Sequence, residues 1–155
     1  MLSETLVKSE KEMIYLKKRK TSKAKRTILR CPHCGSVMIL RPASEIYHDS
    51  NCNRKLYVCP KYPQCDTYVG THPGTNAPLG VPANGDLRNI RIQAHRKFDR
   101  IWQSGIMSKD NAYRWFADSF GLRLKDAHIG MCGEYQCKEL IRLCEEVLKN
   151  NHCVA

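Results

Sequence analysis

Apolar residues follow two different periods along this 155-residue chain. Between residues 36 and 70 they form short runs, which read "SVMILR", "EIYHD", "RKLYVC" and "DTYVG" and are separated by "PAS" and "DSNCN". Short runs rich in β-branched and aromatic residues, bounded by Pro, Ser, Asn and Asp, are typical of strands joined by turns. The pattern predicts a small β module in the first half of the chain.

After residue 85 the apolar residues recur at helical spacing. The first stripe consists of Leu87, Ile90, Ala94, Phe98 and Ile101. Asp86 is the expected N-cap of this helix, and Ser108 is that of a second helix, which ends at Gly121. A third stripe covers residues 134–150. We therefore expect three helices that share a modest core.

Positive charge is concentrated in the first two thirds of the chain. The formal net charge is +11, and residues 1–100 carry 19 Lys/Arg against 8 Asp/Glu, whereas residues 101–155 carry 7 against 7. The densest stretch is "KKRKTSKAKRTILR" (17–30), with eight basic residues and no acidic one. Such a run favours a polyanionic partner, most often nucleic acid. The alternative is a solubilising arm without a specific partner.

The chain contains nine cysteines, an odd number. The first residues, "MLSETLVKSEKEM", lack the apolar core of a secretory signal, and no apolar run reaches the ~18 residues of a membrane span. We therefore expect a cytoplasmic protein without membrane contact. Thiols stay reduced in the cytosol, so the cysteines favour metal binding over disulfides.

Four of the cysteines have the spacing of a zinc ribbon. Cys31 and Cys34 form Cys-x2-Cys, and after a spacer of 24 residues Cys59 and Cys65 form Cys-x5-Cys. Two turns that each supply two thiolates match the tetrahedral coordination of zinc, so one structural Zn²⁺ is predicted. The alternatives are buried reduced cysteines or a redox pair. The competing ligands are Cys52, His33 and His48.

These patterns together predict an α+β fold, in which a small β zinc ribbon precedes a three-helix region and follows a basic N-terminal helix or arm. The expected organisation is an arm over residues 1–29, the ribbon over 30–70, a connecting loop over 71–85, and a helical region over 86–155 that packs on the ribbon. Leu6, Met13 and Leu16 recur near helical spacing and are compatible with an amphipathic helix within residues 3–20. The loop is rich in Gly and Pro, but it matches no phosphate-binding motif.

Residues 30–70 resemble a known class of zinc module. The segments "CPHCGSVMILR" and "YVCPKYPQCDTYVG" are similar to the C-terminal zinc ribbons of bacterial type IA DNA topoisomerases, although the spacer here is longer. The resemblance implies binding of single-stranded DNA. The catalytic regions of those enzymes have no counterpart in this chain.

A longer resemblance covers about residues 30–145. The succession "CPHCG", "YVCPKYPQCDTYVGTH", "GTNAPLG", "ANGDLRNIRIQAHRKFD", "AYRWFA" and "HIGM" resembles a family of small zinc-finger-containing proteins of bacteria, phages and mobile elements. The molecular function of that family is not established. The resemblance implies zinc and leaves the task of the protein open.

Aromatic and basic side chains alternate in the ribbon, as they do in proteins that bind single strands by stacking on bases and contacting phosphates. The alternative is that the tyrosines only cover the small core. The candidate nucleic-acid contacts are Lys17, Lys18, Arg19, Lys20, Lys23, Lys25, Arg26, Arg41, Arg54, Lys55, Tyr57, Lys61, Tyr62, Arg88 and Arg91.

Two further groups are candidates for chemistry. His95 and Asp99 are one helical turn apart, which is compatible with a general base for phosphodiester cleavage. No nucleophile or metal-binding carboxylate pair accompanies them, so we expect no enzyme activity. His128, Cys132 and Cys137 lie close together in sequence and represent either a second metal site or core residues.

The function that follows is non-enzymatic binding of nucleic acid, with single-stranded DNA or RNA favoured, through the basic and tyrosine-bearing surface. The alternative is a phage or mobile-element factor that docks on a host polymerase, nuclease or defence complex, because zinc ribbons also serve as protein-interaction modules. No small-molecule substrate is expected.

Overall fold

The computed structural model describes residues 28–151. The predicted helix within residues 3–20 and the seven basic candidates of residues 17–26 lie outside this range. No helix in residues 28–151 combines the length and the apolar character needed to cross a membrane.

A three-stranded antiparallel sheet forms the first half of the described chain. Its strands are β1 (Ile39–Pro42), β2 (Lys55–Val58) and β3 (Tyr68–Gly70), in the order β1-β2-β3. Arg41 pairs with Leu56, and Tyr57 pairs with Val69. Since paired residues share a face, Leu56 and Val58 lie on one face of β2, and Lys55 and Tyr57 lie on the other.

The run "EIYHD" (45–49), predicted as a strand, instead lies mostly in a helix, α1 (Ala43–Tyr47), so that prediction is wrong. Ala43 and Ile46 are buried together with Leu56 and Val58. Three-residue spacing brings the two apolar side chains of α1 onto one helical face, which covers one side of the sheet. Packing therefore overrides the β propensity of this short run.

The predicted three-helix region is present and makes the fold α+β, as expected. Its helices are α2 (Gly85–Gln103), α3 (Lys109–Ser119) and α4 (Glu134–Asn150), with short 3₁₀ turns at Leu124–Asp126 and Ile129–Met131. Ser108 caps α3 as predicted, by accepting a 3.2 Å bond from an amide of the first turn.

Asn84, and not Asp86 as predicted, caps α2. The side-chain oxygen of Asn84 accepts a 3.0 Å hydrogen bond from the amide of Leu87. Asp86 lies within the first turn, where its carboxylate faces the positive end of the helix dipole.

The apolar core is divided into separate clusters. The largest lies between α2, α3 and α4 and includes Phe98, Ile101, Phe116 and Leu140, each fully buried. Two smaller clusters lie in the ribbon, one beneath α1 and one beside the cysteines. The helical region therefore has a core of its own, and the ribbon has very little apolar material to stabilise it.

Residues 71–84, here called the connector, join the two parts in a fixed conformation. The amide of Leu79 donates to the carbonyl of Gly70 at 2.9 Å, and that of Val81 donates to the carbonyl of Gly130 at 3.1 Å. A Cβ added to Gly80 would lie 2.9 Å from the carbonyl carbon of Gly130. Because only glycine leaves room for this approach, Gly80 lets the connector pack on the 3₁₀ turn.

Candidate metal centre and surrounding surface

The first cysteine pair lies in a tight turn that begins at Cys31. The amide of Gly35 donates to the carbonyl of Cys31, and the amide of Cys31 donates to the carbonyl of Ser36, both at 2.9 Å. Gly35 has φ of +72°, a value that glycine adopts without strain. The turn holds Cys31 and Cys34 on the same side.

The second pair follows β2. The amide of Cys59 donates to the carbonyl of Thr67 at 2.9 Å, and this bond closes the loop that carries both cysteines. Inside the loop, the amide of Tyr62 donates to the carbonyl of Cys59 at 3.0 Å, and the amide of Cys65 donates to the carbonyl of Lys61 at 3.0 Å. The pairing of β2 with β1 places this loop beside the first turn.

The two turns bring four sulfur atoms into one cluster. The Sγ atoms of Cys31 and Cys65 are 3.6 Å apart, and those of Cys34 and Cys59 are 3.4 Å apart. All four lie within 4.8 Å of one another. A tetrahedral site with zinc–sulfur bonds of about 2.3 Å has sulfur–sulfur edges of roughly 3.8 Å. The cluster therefore fits one structural zinc ion.

Hydrogen bonds and burial act on these thiols in opposite directions. Hydrogen bonds from the side chain and backbone of Ser36 lower the pKa of Cys34 to about 6, and the Thr67 hydroxyl, 3.4 Å from Cys65 Sγ, lowers the pKa of Cys65. Burial raises the pKa of Cys59 to about 12. A metal ion supplies the charge needed to hold all four as thiolates.

The competing metal ligands are not part of this cluster. Within residues 28–151, the four thiols are the only group of three or more His, Cys, Asp or Glu close enough to hold a metal. Cys52 packs against the apolar residues beneath α1. Cys132 and Cys137 are buried in the helical core, and the thiol of Cys132 lies 3.5 Å from the carbonyl oxygen of His128. Core packing accounts for these two cysteines, whereas His128 is exposed.

Three of the arginines proposed as nucleic-acid contacts have partners within the chain. Arg41 forms a 2.7 Å ion pair with Glu45. Arg88 donates to the carbonyl of Asp66 at 2.7 Å and lies 3.7 Å above the ring centre of Tyr68.

Arg91 joins two segments that are distant in sequence. Its guanidinium donates to the carbonyl of Cys132 at 2.8 and 2.9 Å and to the carbonyl of Val81 at 2.8 Å. Burial lowers the pKa of Arg91. Arg91 therefore links two segments to α2, namely the connector and the end of the 3₁₀ turn Ile129–Met131.

The remaining described cations of the proposed contact set are Arg54, Lys55 and Lys61. All three are exposed, and none forms an ion pair with another residue of the described range. Arg54 and Lys55 lie at the start of β2, and Lys61 lies in the loop after it. The ribbon therefore displays uncompensated positive charge at both ends of its central strand.

The two proposed tyrosine contacts are partly buried. The Tyr57 hydroxyl donates to the carbonyl of Asn76 in the connector at 2.8 Å. Tyr62 packs against the apolar residues beneath α1. Tyr47 is more open, with 47% of its surface exposed, and its ring meets that of Tyr68 edge-on at 6.0 Å.

His95 and Asp99 lie on an outward part of α2. The carboxylate of Asp99 accepts a 3.2 Å hydrogen bond from the indole of Trp102. Neighbouring atoms desolvate His95 and lower its pKa, against the opposing effect of Asp99. Asp99 is therefore hydrogen-bonded to Trp102.

Residues 27–147, 121 of the 155 residues, match the model of a family described as a zinc-finger-containing domain. The match extends over the ribbon, the connector, α2, α3 and most of α4. It confirms the longer of the two resemblances that the sequence motifs indicated. No curated protein and no solved structure matches the chain.

Proposed function

Because the chain belongs to this family of zinc-finger-containing domains, we propose that it is a zinc-stabilised, non-enzymatic protein that binds nucleic acid, with single strands preferred. Zinc fixes the ribbon, and the ribbon and the basic arm contact the phosphate backbone. The location proposed for this activity is the cytoplasm, where the four zinc-binding cysteines stay reduced.

One observation carries the proposal, namely the unpaired cations of the ribbon. Arg54, Lys55 and Lys61 make no ion pair in the described range, whereas two of the three cations of α4 do, in the pairs Lys138–Glu134 and Arg142–Glu139. Exposed cations that attract no carboxylate of their own chain are available to an external polyanion. Phosphates of a nucleic acid are the most common such partner.

The basic arm adds to this charge. Lys17, Lys18, Arg19 and Lys20 are consecutive, and they precede three further cations at residues 23–26. Each phosphate that a cation neutralises releases counterions, so affinity rises with the number of contacts and falls with salt. On a single strand, the slope of log K against log salt changes by about 0.7 for each contact.

Fluorescence anisotropy with labelled single- and double-stranded oligonucleotides tests the proposal. We expect the zinc-loaded protein to bind the single strand more tightly, with affinity that falls steeply between about 50 and 200 mM salt. Neutralising Lys17, Lys18, Arg19 and Lys20 together should lower the salt slope by up to about 2.8 if each contacts a phosphate. Absence of binding at the lower salt concentration rejects the proposal.

A nuclease assay tests the non-enzymatic part. Labelled DNA and RNA should remain intact with zinc-loaded protein and added magnesium or manganese. If cleavage occurs and is lost in His95→Ala, the protein is an enzyme and this part of the proposal is wrong.

A second candidate function is a protein-interaction module. It is favoured by exposed apolar side chains where the connector meets the 3₁₀ turn, since Leu79 is 49% and Met131 is 52% exposed. The residues that adjoin them in sequence, Gly80 and Gly130, are in backbone contact, and exposed apolar side chains on adjoining segments are a feature of interfaces. Under this alternative, Leu79→Asp/Met131→Asp should abolish capture of a partner in a pull-down and leave any binding of oligonucleotides unchanged.

A further inference from the structure

A groove lies between the start of β2 and the first half of the connector. Its volume is about 430 Å³, within the roughly 300–1,000 Å³ typical of small-ligand sites. The residues that line it are Asn53, Arg54, Lys55, Thr71, His72, Pro73, Gly74, Thr75 and Asn76.

Hydrogen bonds hold the two walls of the groove together. At its base the Thr71 hydroxyl, which belongs to a buried residue, donates to the carbonyl of Lys55 at 3.0 Å. Farther along, the Tyr57 hydroxyl donates to the carbonyl of Asn76 at 2.8 Å. The amide of His72 donates to the carbonyl of Ala77 at 2.9 Å and closes the hairpin between them. The groove is therefore a built feature of the fold.

The lining has the chemistry of an anion site. None of the nine lining residues is acidic. The heads of Arg54 and Lys55 and the imidazole of His72 make no ion pair or side-chain hydrogen bond with any residue in 28–151. The backbone N–H groups of Gly74 and Asn76 likewise donate to no described residue. Several donors without a matching acceptor fit the oxygens of a phosphate.

We propose that this groove binds the phosphodiester backbone of a single-stranded nucleic acid. Arg54 presents a planar fork to two phosphate oxygens, and Lys55 adds a point charge. The groove exceeds the space that one phosphate needs, and Asn53 and Asn76 add amide donors and acceptors that suit a sugar or a base edge. The inference rests on the proposed function and adds the position at which the ribbon contacts the strand.

The test compares two double variants that remove equal charge. Arg54→Ala/Lys55→Ala removes the arginine and the lysine that line the groove. Arg114→Ala/Lys125→Ala removes two exposed cations of the helical region that have no ion pair in the described range. Both variants should retain one zinc per chain and the thermal midpoint of the unmodified protein, because all four side chains are exposed.

Anisotropy with a labelled oligothymidylate of about twelve nucleotides provides the readout, since single-strand sites span roughly 4–16 nucleotides. The groove variant should bind at least about tenfold more weakly at low salt, with a salt slope reduced by about 1.4 for two lost contacts. The control variant should stay within about twofold of the unmodified protein, because its cations lie outside the proposed contact surface.

Amide chemical shifts identify the ligand directly and do not depend on the variants. Titration with thymidine monophosphate, inorganic phosphate and the oligothymidylate is followed at Gly74, Thr75 and Asn76. We expect the oligothymidylate to shift these resonances at lower concentration than either small probe, because neighbouring phosphates contact other cations of the ribbon.

Each alternative outcome is decisive. If the unmodified protein binds the strand and the two double variants behave alike, the groove inference is wrong and the proposed function stands. If the small probes shift the three amides but no oligonucleotide binds, the groove is a site for free phosphate. In that case both the strand inference and the proposed function are overturned.

Discussion

At the scale of single residues, arginines with the same charge have different surroundings in this protein. Arg91 is a structural cation, because its three described hydrogen bonds all end on backbone carbonyls of other segments. Arg54 faces solvent without an ion-pair partner in residues 28–151. Both side chains carry one positive charge. They differ because Arg91 has the carbonyls of Cys132 and Val81 within hydrogen-bonding distance.

Arg91→Ala should therefore destabilise the fold and should not act as a loss of nucleic-acid contact. Removing the guanidinium leaves the carbonyls of Val81 and Cys132 without their partner, and hydrogen bonds to charged groups each contribute about 1.5–3 kcal/mol. We expect the free energy of unfolding to fall by about 2–4 kcal/mol in chemical denaturation. Arg96→Ala, on the exposed side of the same helix, is the control and should change it by less than about 0.5 kcal/mol.

Substitution should distinguish the four cysteines of the metal site, here called the cage cysteines (Cys31, Cys34, Cys59 and Cys65), from the other cysteines. Cys59 is fully buried in the cluster, so Cys59→Ser should reduce bound zinc from one ion per chain to well below one. Cys52→Ser changes a thiol outside the cage and should keep the full ion. Zinc content after exhaustive dialysis, measured by atomic absorption, distinguishes them. Equal zinc in both variants would contradict the four-cysteine assignment.

At the scale of elements, the connector is held against the helical region by direct backbone contact. Gly80 lies against the backbone of Gly130, and the amide of Val81 donates to the carbonyl of the same residue. The contact joins a loop to a 3₁₀ turn through backbone atoms alone. Neither partner can relieve an added methyl group by changing a side-chain rotamer.

Gly80→Ala should consequently destabilise the protein. The new Cβ would lie 2.9 Å from the carbonyl carbon of Gly130, so backbone must move, and overpacking of this kind costs about 1–3 kcal/mol. Gly130→Ala is the matched control, since its Cβ would meet the nearest atom, the carbonyl oxygen of Leu79, at 3.5 Å. Thermal denaturation of both variants provides the measurement. A larger loss in Gly130→Ala than in Gly80→Ala would refute the proposed contact.

The sequence predicts those elements whose signal is local. The long helices have several turns of apolar periodicity, and the zinc turns are encoded by cysteine spacing, so both could be foreseen. Helix α1 has only five residues, too few for helical periodicity to outweigh the aromatic and β-branched residues of "EIYHD". Its helical state depends on packing against Leu56 and Val58, which lie about ten residues later.

The candidate site also has one part that the sequence predicts and another part that it does not. The four thiols could be assigned from spacing, but the groove could not, because its walls come from residues 53–55 and 71–76. Likewise, nothing adjacent in sequence to Arg88 or Arg91 reveals that Asp66 and Cys132 supply their acceptors. Partners that only tertiary folding brings together decide which cations remain available to a ligand.

At the scale of the whole molecule, charge and packing are distributed unequally. The helical region has a substantial core of its own. The arm over residues 1–29 carries the largest share of the net positive charge, with 9 Lys/Arg against 3 Asp/Glu, and the ribbon's apolar clusters are small. Zinc binding supplies about 10–16 kcal/mol in small finger domains, and modules of this size usually need such a metal or a comparable cross-link to fold.

Removal of zinc should therefore unfold the ribbon and leave the helical region folded. The core between α2, α3 and α4 contains no ribbon residue, so its burial does not depend on the metal. We expect a chelator to broaden or collapse the amide resonances of β1, β2 and β3, while the far-ultraviolet helical signal persists and melts in a separate transition at higher temperature.

The Cys59→Ser variant supplies the control for this experiment, because it should show the same retained helical signal without any chelator present. If chelation instead removes sheet and helix together in one cooperative step, the two parts are energetically one unit. The contacts of Arg88 in α2 with the Asp66 carbonyl and the Tyr68 ring would then couple them more strongly than their separate cores suggest. Comparing that step in Arg88→Ala would show whether this residue carries the coupling, since loss of the link should split one transition into two.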